Sequence, residues 1–576
     1  MGILDSISGF FGSIPGAGQL YTTFARWIFV ILAIYILVRA IRSLLSTKTP
    51  SEIWAYLSLP NGEIRALSHW ENVIGRSKTV DVPIDVMTVS RNHGTLVRDK
   101  DGNWTYNDLG SKGGSMVNGN IVYKPTPVNI GDTLSLGGAE CVLVPASLQE
   151  QMYNKEARTR LTRKFTPWKS LIALTIFQAM TVVQFMIAEG SELPASVPLA
   201  FAIFTGVMWV YSIVIRSLGS TSFEMESIAF FLSTLGLAVT ATSAPNEIMK
   251  QLLTVCLGIC LFLGLCWYLR DLDRAMKTRK LLVLGSVLLL LVNIFLGTNK
   301  YGATNWVSLG GFTFQPSELV KIAYILVGAA TLDELFEKKN LTLFLLFSIF
   351  CLGSLAVMGD FGTAAIYFVT FLVISFLRSG EFSKLFLLVG AAAAAGLMVL
   401  RFRPYILGRF QTWMHAWDFP DVGSGYQQVR TMSAGASGGM VGVGAGDGWL
   451  HNVAAADTDL VFGVLSEEWG LIIAVLAILS IVTLGIFAVR SIKAGRSAFY
   501  TIAACAATTL MIFQAILNVF GSVDILPLTG VTFPFVSNGG TSMIVSWGML
   551  AFLKAADTRQ NASIAVKDEG LKGDEW

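Results

Sequence analysis

Charged residues are scarce in this chain: Asp, Glu, Lys and Arg make up 14% of its 576 residues, against 53% for the hydrophobic residues. The apolar residues are gathered in long runs instead of the short alternating pattern of a soluble core. This shortage of charge excludes an ordinary soluble protein and indicates one that crosses the membrane many times. The net charge of +3 does not imply nucleic acid, because membrane topology places the loop Lys and Arg of such proteins.

Cysteine is also rare, and the six cysteines lack the paired spacing of a zinc site or a disulfide framework. We interpret them as packing residues. Five lie in apolar runs and one in a strand-like stretch: Cys256, Cys260, Cys266, Cys351 and Cys505, and Cys141. A nucleotide-binding loop is missing too, since no Gly-Lys-Ser or Gly-Lys-Thr accompanies the glycine-rich runs.

The first apolar run, from Thr23 to Leu45, lacks the cleavage site of a signal peptide. It is long enough to span a membrane, and Arg39 and Arg42 lie at its C-terminal end. We predict a membrane anchor over residues 1–46, with the N-terminus outside and the basic end in the cytoplasm.

Residues 47–148 differ in composition, because short strand-like runs alternate there with the turn signals NG, DG, GG and GD. This pattern predicts a small cytoplasmic all-β sandwich, inserted between membrane segments. Residues 149–168 read as a basic linker that leads back to the membrane.

Twelve further apolar runs follow, which makes about 13 transmembrane helices in a polytopic α-helical membrane protein. They begin near residues 169, 196, 225, 250, 280, 318, 341, 363, 384, 469, 498 and 539. Counting from a cytoplasmic β domain places nearly all loop Lys and Arg of this half inside, together with the C-terminus. The outer connections are rich in Gly, Trp and Pro. One of them, residues 401–467, is long enough to suggest a function, so we expect the chemistry on the outer face.

Four carboxylates lie at the end of that long loop, at the start of an apolar segment: Asp457, Asp459, Glu467 and Glu468. An aspartate before a helix can cap it, and Asp457 or Thr458 would serve as well as Asp459. The two glutamates are adjacent on a helix and point about 100° apart, so both cannot face one substrate. We interpret them as orienting residues.

The outer loops contain GGFTFQPSELVKIA, GDFGTA, GYQQVRTMSAGASGGMVGVGAG followed by DTDLVFGVLSEEWG, and PLTGVTFPFVSNGGTSM. These stretches resemble, in order, the motifs of the SEDS family of FtsW/RodA-like cell-wall polymerases, over roughly Ala229 to Lys554. The resemblance implies a ten-helix core at 225–558. Two additional helices at 169–217 precede this core, and a cytoplasmic tail at 559–576 follows it.

Proteins of this family polymerise lipid II into peptidoglycan strands outside the membrane and release undecaprenyl pyrophosphate. The resemblance therefore implies a glycosyltransferase that uses a divalent cation, Mg²⁺ or Mn²⁺, and works with a class B penicillin-binding protein, a transpeptidase. It also makes Asp459 the catalytic residue, as general base or as the group that organises the metal. Asp457 stands where the family has His, and a second carboxylate there could be a further metal ligand.

Seven more residues are candidates for substrate binding: Trp306, Glu318, Lys321, Arg409, Gln427, Arg430 and Ser537. A sugar ring can stack on the Trp306 indole, and a role as an interfacial tryptophan explains this residue nearly as well. Glu318 and Lys321 have the spacing of a helical ion pair. Arg430 stands where FtsW-like sequences have Gln, and it could bind pyrophosphate or anchor to lipid headgroups.

The β region contains GRS, SRNH, DLGSKGG, VNG and GDTLSLG. It resembles a forkhead-associated (FHA) domain, which implies binding of phosphothreonine peptides through Arg76 and Ser90, with Arg91 and Lys112 as further cations. The implied partner is a phosphothreonine protein or a Ser/Thr kinase. Gly113 stands where the family has a peptide-gripping Asn.

Two alternatives to the enzyme remain at this point: a lipid II flippase, and a non-catalytic scaffold of a division or elongation complex. A flippase needs ionisable groups along a path through the membrane, whereas the motifs here gather on one face. The pattern favours the enzyme.

Overall fold

The structure is a computed structural model. It describes residues 16–46, 52–78, 80–99, 102–161, 165–300, 303–309, 312–330, 338–379, 382–402, 408, 410–559 and 562.

The predicted β sandwich is present, as two sheets that face each other. Alternate residues point inward along its strands, as in β1, where Ala55 and Leu57 are buried. The strands are β1 Ala55–Ser58, β2 Ile64–Leu67, β3 Glu71–Gly75, β4 Val82–Pro83, β5 Gly94–Arg98, β6 Trp104–Asp108, β7 Ser115–Val117, β8 Asn120–Ile121, β9 Thr126–Val128, β10 Thr133–Leu136 and β11 Ala139–Pro145. The strand order is β2-β1-β11-β10-β7-β8 in one sheet and β4-β3-β5-β6-β9 in the other.

The basic linker, predicted without secondary structure, is largely helical. Helix α1 is the N-terminal Ala17–Ser46, and α2, Leu148–Leu161, follows the sandwich. Ser147 and Glu150 form a capping box at its start: the Glu150 amide donates to the Ser147 hydroxyl at 3.2 Å, and the Ser147 amide to the Glu150 carboxylate at 3.1 Å. The sequence SLQE carries this signal.

Each of the thirteen predicted apolar segments coincides with a helix. After α1 these are α3 Trp168–Glu189, α4 Ser196–Ser217, α5 Glu224–Ser243, α6 Ile248–Tyr268, α7 Leu272–Leu296, α8 Pro316–Ala330, α9 Lys338–Met358, α10 Phe361–Ser379, α11 Phe382–Phe402, and, beyond the long loop, α14 Gly470–Ala494, α15 Ala498–Ser522 and α16 Thr541–Ala556. Within the described residues, eight helical stretches are long and apolar enough to cross a membrane. The exact number of spans stays a prediction.

The connections that were predicted to lie outside contain regular secondary structure. Strands β12 Thr298–Lys300, β13 Ala303–Leu309 and β14 Phe312–Phe314 form an antiparallel sheet before α8. The long connection between α11 and α14 contains α12, Gly423–Gly438, and the short α13, Val461–Val464, which a π turn joins to α14. The predicted long extracellular loop therefore contains packed helices.

The bundle has two chemically different ends. At one end, the Arg559 guanidinium lies 2.8 Å from the Glu224 carboxylate, and Arg490 donates to the Leu45 carbonyl. At the other end, the Gln184 amide donates to Asp447 at 3.2 Å. The first end carries the sandwich and the second carries the acidic segment, in agreement with the predicted separation of the two.

The additional N-terminal helices are part of the core. Trp469, at the start of α14, is 2% exposed. Its ring stacks on Phe177 of α3 at 5.3 Å and meets Phe29 of α1 edge-on at 4.8 Å. Aromatic packing of this kind fixes the appended helices to the helix that follows the acidic segment.

This packing generates a stability prediction. Trp469→Ala removes a fully packed indole, and we expect a loss of about 3 to 5 kcal/mol, read as a lower midpoint of thermal unfolding in detergent. Trp417→Ala is the control, because Trp417 is 62% exposed and its removal leaves no cavity. Equal midpoints for the two variants would contradict this role of Trp469.

Candidate functional site

The acidic segment is a tight turn. The Ala455 carbonyl accepts the amides of Thr458 at 3.2 Å, Asp459 at 2.9 Å and Leu460 at 3.2 Å. Ala455 has a φ of +63°, in the left-handed region. The turn leaves Asp459 half-buried before α13, whose N-cap is Leu460 with no side-chain cap. The helix-capping explanation of Asp459 is therefore wrong.

A second segment, residues 528–540, holds this turn in place. The Ser537 hydroxyl donates to the Thr458 carbonyl at 2.6 Å and accepts the Phe533 amide at 2.7 Å. Asn538 donates its backbone amide to the Asp457 carbonyl at 2.8 Å and its side-chain amide to the Asp457 carboxylate at 2.9 Å. The backbone on the N-terminal side of Asp459 is thus fixed by two neighbours in the other segment.

A third contact comes from α15. The Asn518 side-chain amide donates to the Asp459 carbonyl at 3.1 Å and to the Val531 carbonyl at 2.7 Å. Asn518 is buried, and it joins both segments to one helix. Asn518 is not among the predicted site residues, although a polar residue inside an apolar helix is a recognised signal of function.

The Asp459 carboxylate faces Gly530. This glycine has a φ of +71°, and a Cβ built on it would lie 3.3 Å from Asp459 Oδ2. A side chain at position 530 would therefore be strained and would crowd the carboxylate. This gives a physical reason for glycine in the PLTG stretch.

An open cleft of about 690 Å³ lies beside the two segments. Its walls include Tyr426 and Gln427 of α12, and it reaches Ala454 and Leu528, one residue from each segment. Gln427 donates to the Ala454 carbonyl at 2.9 Å, so α12 is bonded to the acidic turn. The cleft thus ends next to the aspartate turn.

Arg430 lies behind the cleft wall. Its guanidinium is 3.5 Å from the centre of the Tyr426 ring and donates to the Pro420 carbonyl at 2.8 Å. It is 3.8 Å from the exposed Asp421 carboxylate. These contacts brace the cleft wall, and the described residues that line the cleft include no Lys or Arg.

In the sandwich, the four predicted phosphate-binding residues lie on adjoining loops. The Arg76 amide donates to the Ser90 carbonyl at 2.9 Å, and the Ser90 hydroxyl accepts the Lys112 amide at 3.0 Å. The Ser77 amide, next to Arg76, donates to the Arg91 carbonyl at 3.1 Å. The Arg76, Arg91 and Lys112 side chains are exposed.

The buried His93 and the half-buried Asp108 shape these loops. Burial lowers the pKa of His93, whose neutral ring accepts the Ser90 amide at Nδ1 and donates to the Gly114 carbonyl from Nε2. Burial alone would raise the pKa of Asp108, but hydrogen bonds from the Ser111 and Ser115 hydroxyls and from loop amides lower it overall. The resulting carboxylate anchors the loop that carries Lys112.

The presence of glycine at position 113 has a steric explanation. A Cβ at this position would lie 2.8 Å from both the Thr88 carbonyl oxygen and the Gly137 Cα. The backbone therefore leaves no room for the Asn that the FHA pattern has there.

A family model of cell cycle proteins, FtsW/RodA/SpoVE, matches residues 227–562, and this is more than half of the chain. The chain belongs to the FtsW/RodA/SpoVE family. An FHA model matches residues 72–137, which confirms the sandwich as an FHA domain.

Curated relatives carry names that describe one reaction. The probable peptidoglycan glycosyltransferase FtsW of Escherichia coli is 31% identical over 279 residues, which cover 46% of this chain and 66% of that protein. The peptidoglycan glycosyltransferase RodA of Mycobacterium tuberculosis is 28% identical over 324 residues, covering 53% and 69%. The chain spans about two thirds of the length of these relatives.

Solved structures are similar over parts of the chain. The RodA of Thermus thermophilus is 23% identical, with a TM-score of 0.43 over 58% of this chain and 96% of that one. An FHA domain with phosphothreonine-dependent interactions is 27% identical, with a TM-score of 0.16 over 16% of this chain and 99% of that one.

Within the family motifs, Glu318 and Lys321 pair with each other. Lys321 Nζ lies 2.6 Å from Glu318 Oε1 and 3.1 Å from the Gln514 side-chain oxygen. Both charged residues are buried, and Gln514 also donates to the Thr532 carbonyl at 3.0 Å. The pair therefore contacts the second segment through Gln514.

The other predicted family residues lie in different environments. Trp306 is half-buried on β13. Ser537 is buried with its hydroxyl used between the two segments, so it positions the turn. Arg409 lies outside the described residues. Glu467 accepts the Trp449 and Leu450 amides, each at 3.0 Å, and the orienting role of Glu467 and Glu468 stays a prediction.

The predicted divalent cation fits the acidic turn only with help from substrate. Mg²⁺ is commonly held by one or two carboxylates together with phosphate oxygens and water, which suits Asp459 and Asp457. One oxygen of Asp457 already accepts from Asn538. The described residues contain no group of three or more His, Cys, Asp or Glu that could hold an ion. A cation here would require substrate ligands.

The hydrogen bonds from Ser537, Asn538 and Asn518 to the aspartate turn, called the clamp below, lead to a testable prediction. Ser537→Ala removes a donor from Thr458 and an acceptor from Phe533, and leaving such buried groups unpaired costs about 1 to 3 kcal/mol each. We expect faster amide hydrogen exchange over residues 457–460. Ser433→Ala is the control, because that hydroxyl bonds only to the Val429 carbonyl of its own helix. Unchanged exchange in the Ser537 variant would show that the clamp does not hold the turn.

Proposed function

We propose that this protein is a glycosyltransferase that polymerises lipid II into peptidoglycan on the outer face of the cytoplasmic membrane. The observation that carries the proposal is the fixed, half-buried Asp459 turn beside an open cleft, at the end of the bundle opposite the FHA domain. Family membership and the names of the relatives support the reaction type.

In the proposed reaction, the Asp459 carboxylate takes the proton from the attacking sugar hydroxyl. The hydroxyl oxygen forms the new bond to the donor's anomeric carbon, and the bond to the pyrophosphate breaks. The hydrogen bonds from Ser537, Asn538 and Asn518 hold the backbone that carries the Asp459 carboxylate, so the position of this backbone is set before substrate binds.

The leaving pyrophosphate needs positive charge. Asp459 and Asp457 would hold a divalent cation, Mg²⁺ or Mn²⁺, which would stabilise the negative charge of the leaving pyrophosphate when bound. Arg430 is braced by Tyr426 and Pro420, so a pyrophosphate contact would require it to leave these partners. This favours the cation over Arg430 for the role.

The FHA domain binds phosphothreonine partners in this proposal. Arg76 and Ser90 hold the phosphate, and Arg91 and Lys112 add positive charge. A protein phosphorylated by a Ser/Thr kinase, or the kinase itself, is the partner, and a class B penicillin-binding protein crosslinks the product. The N-terminus lies outside, and the FHA domain and C-terminus lie in the cytoplasm.

A lipid II flippase is less well supported. In the described membrane helices, acidic and basic residues lie near helix ends, as with the Glu318–Lys321 pair and the Lys554–Glu226 pair at 2.8 Å. A transport path would need such groups through the bilayer. The scaffold alternative has no structural observation in its favour.

The reaction has a direct test. Asp459→Asn keeps the shape of the side chain but removes the base, and we expect polymerisation of fluorescent lipid II with Mg²⁺ or Mn²⁺ to fall by about 100-fold or more. Polymer is read on a gel, with penicillin present. Asp271→Asn, at the opposite end, is the matched control. A wild-type rate in the Asp459 variant would remove Asp459 from the reaction.

Binding of phosphothreonine by the FHA domain can be tested separately. Arg76→Ala in the full-length protein removes a charge-assisted donor, and we expect affinity for a pool of phosphothreonine peptides to fall by about tenfold or more. Fluorescence anisotropy measures the binding. Arg65→Ala is the control, because Arg65 forms an exposed pair with Glu63 away from the phosphate loops. Equal binding of phosphorylated and unmodified peptides by the wild type would refute the phosphate site.

A further inference from the structure

The FHA domain is docked on the membrane bundle. It contacts the turn between α14 and α15, where the Trp70 amide donates to the Arg496 carbonyl at 2.6 Å and His69 Nδ1 donates to the Gly495 carbonyl at 2.6 Å. The Trp70 ring meets the Tyr500 ring edge-on at 6.1 Å. The domain therefore has a defined position against the turn.

An ion pair strengthens this dock. Arg496 donates to both carboxylate oxygens of Glu52, at 2.8 and 2.9 Å. The two side chains are only 7% and 12% exposed. A two-pronged, largely buried pair has a preferred geometry, unlike an isolated surface pair.

Glu71 of the FHA domain binds the start of α15. Its carboxylate accepts the Ser497 hydroxyl at 2.9 Å and the Ala498 amide at 3.0 Å. The first amides of a helix lack partners within the helix and carry partial positive charge. The buried Glu71 therefore caps α15 from another domain.

The other end of α15 holds the proposed active site. Asn518 lies 20 residues beyond Ala498, about 30 Å along a helix, and donates to the Asp459 and Val531 carbonyls. One turn earlier, Gln514 contacts Lys321 and Thr532. A single helix thus connects the FHA dock with the acidic turn.

The phosphate-binding loops remain open in the docked domain. Glu71 begins β3, and Arg76 follows its other end, about 17 Å away along a strand. Arg76 is exposed. The FHA domain can therefore hold a phosphopeptide at one end while the other end stays on α15.

We propose that Glu52 and Glu71 are positioning residues for the outer reaction: the docked FHA domain fixes α15, and α15 fixes the turn that carries Asp459. The inference rests on the proposed function for its activity readout. It gives the FHA domain a role in setting the rate as well as in binding a partner.

A charge-reversal cycle tests this. Glu52→Arg and Arg496→Glu each break the dock, and we expect each to lower lipid II polymerisation by about fivefold or more, the range typical of coupling between distant sites. The double variant restores the pair, so its rate should return close to wild type. Glu140→Arg, an exposed change in the same domain, is the control and should leave the rate unchanged.

Hydrogen exchange supplies a readout that does not depend on activity. Glu71→Ala should speed amide exchange over residues 457–460 and 528–540 in the full-length protein, and Glu140→Ala should not. Wild-type polymerisation in both single charge variants, or a loss that the double variant does not recover together with unchanged exchange in the Glu71 variant, would overturn the inference. If the wild type makes no polymer, the proposed function fails, and the exchange result alone decides whether the dock reaches the turn.

Discussion

The contact between the aspartate turn and residues 528–540 is the constraint on which the site depends. A reacting carboxylate has to reach substrate, so its side chain cannot be buried, yet it has to stay in one place. The structure meets both requirements by fixing the backbone. Ser537 binds Thr458, Asn538 binds Asp457, and Asn518 binds the Asp459 carbonyl.

The two ends of the bundle use different interactions for different purposes. The end with the FHA domain is held by buried ion pairs, including Arg559 with Glu224 and Lys554 with Glu226. The acidic turn itself is held mainly by amide and hydroxyl groups that donate to its backbone carbonyls. Neutral donors therefore position the backbone of the Asp459 turn.

Much of this arrangement could be predicted from the sequence. The long apolar runs predicted the helices, and the alternating pattern with its turn signals predicted the sandwich. The four family motifs predicted that the Asp459 segment belongs to the site. The contacts across the fold could not be predicted, because nothing in a linear pattern pairs Asn518 with Asp459 or Glu71 with Ala498. The same holds for Ser537. Its motif could be recognised in the sequence, but its burial between the two segments could not be predicted.

The most direct test of the central claim is thiol labelling at the acidic turn. With the native cysteines replaced, Asp459→Cys in oriented proteoliposomes should react with a membrane-impermeant maleimide from the outer face only, and lipid II should slow the reaction. Labelling only from the side that carries the FHA domain, or at a rate that lipid II does not change, would contradict the account.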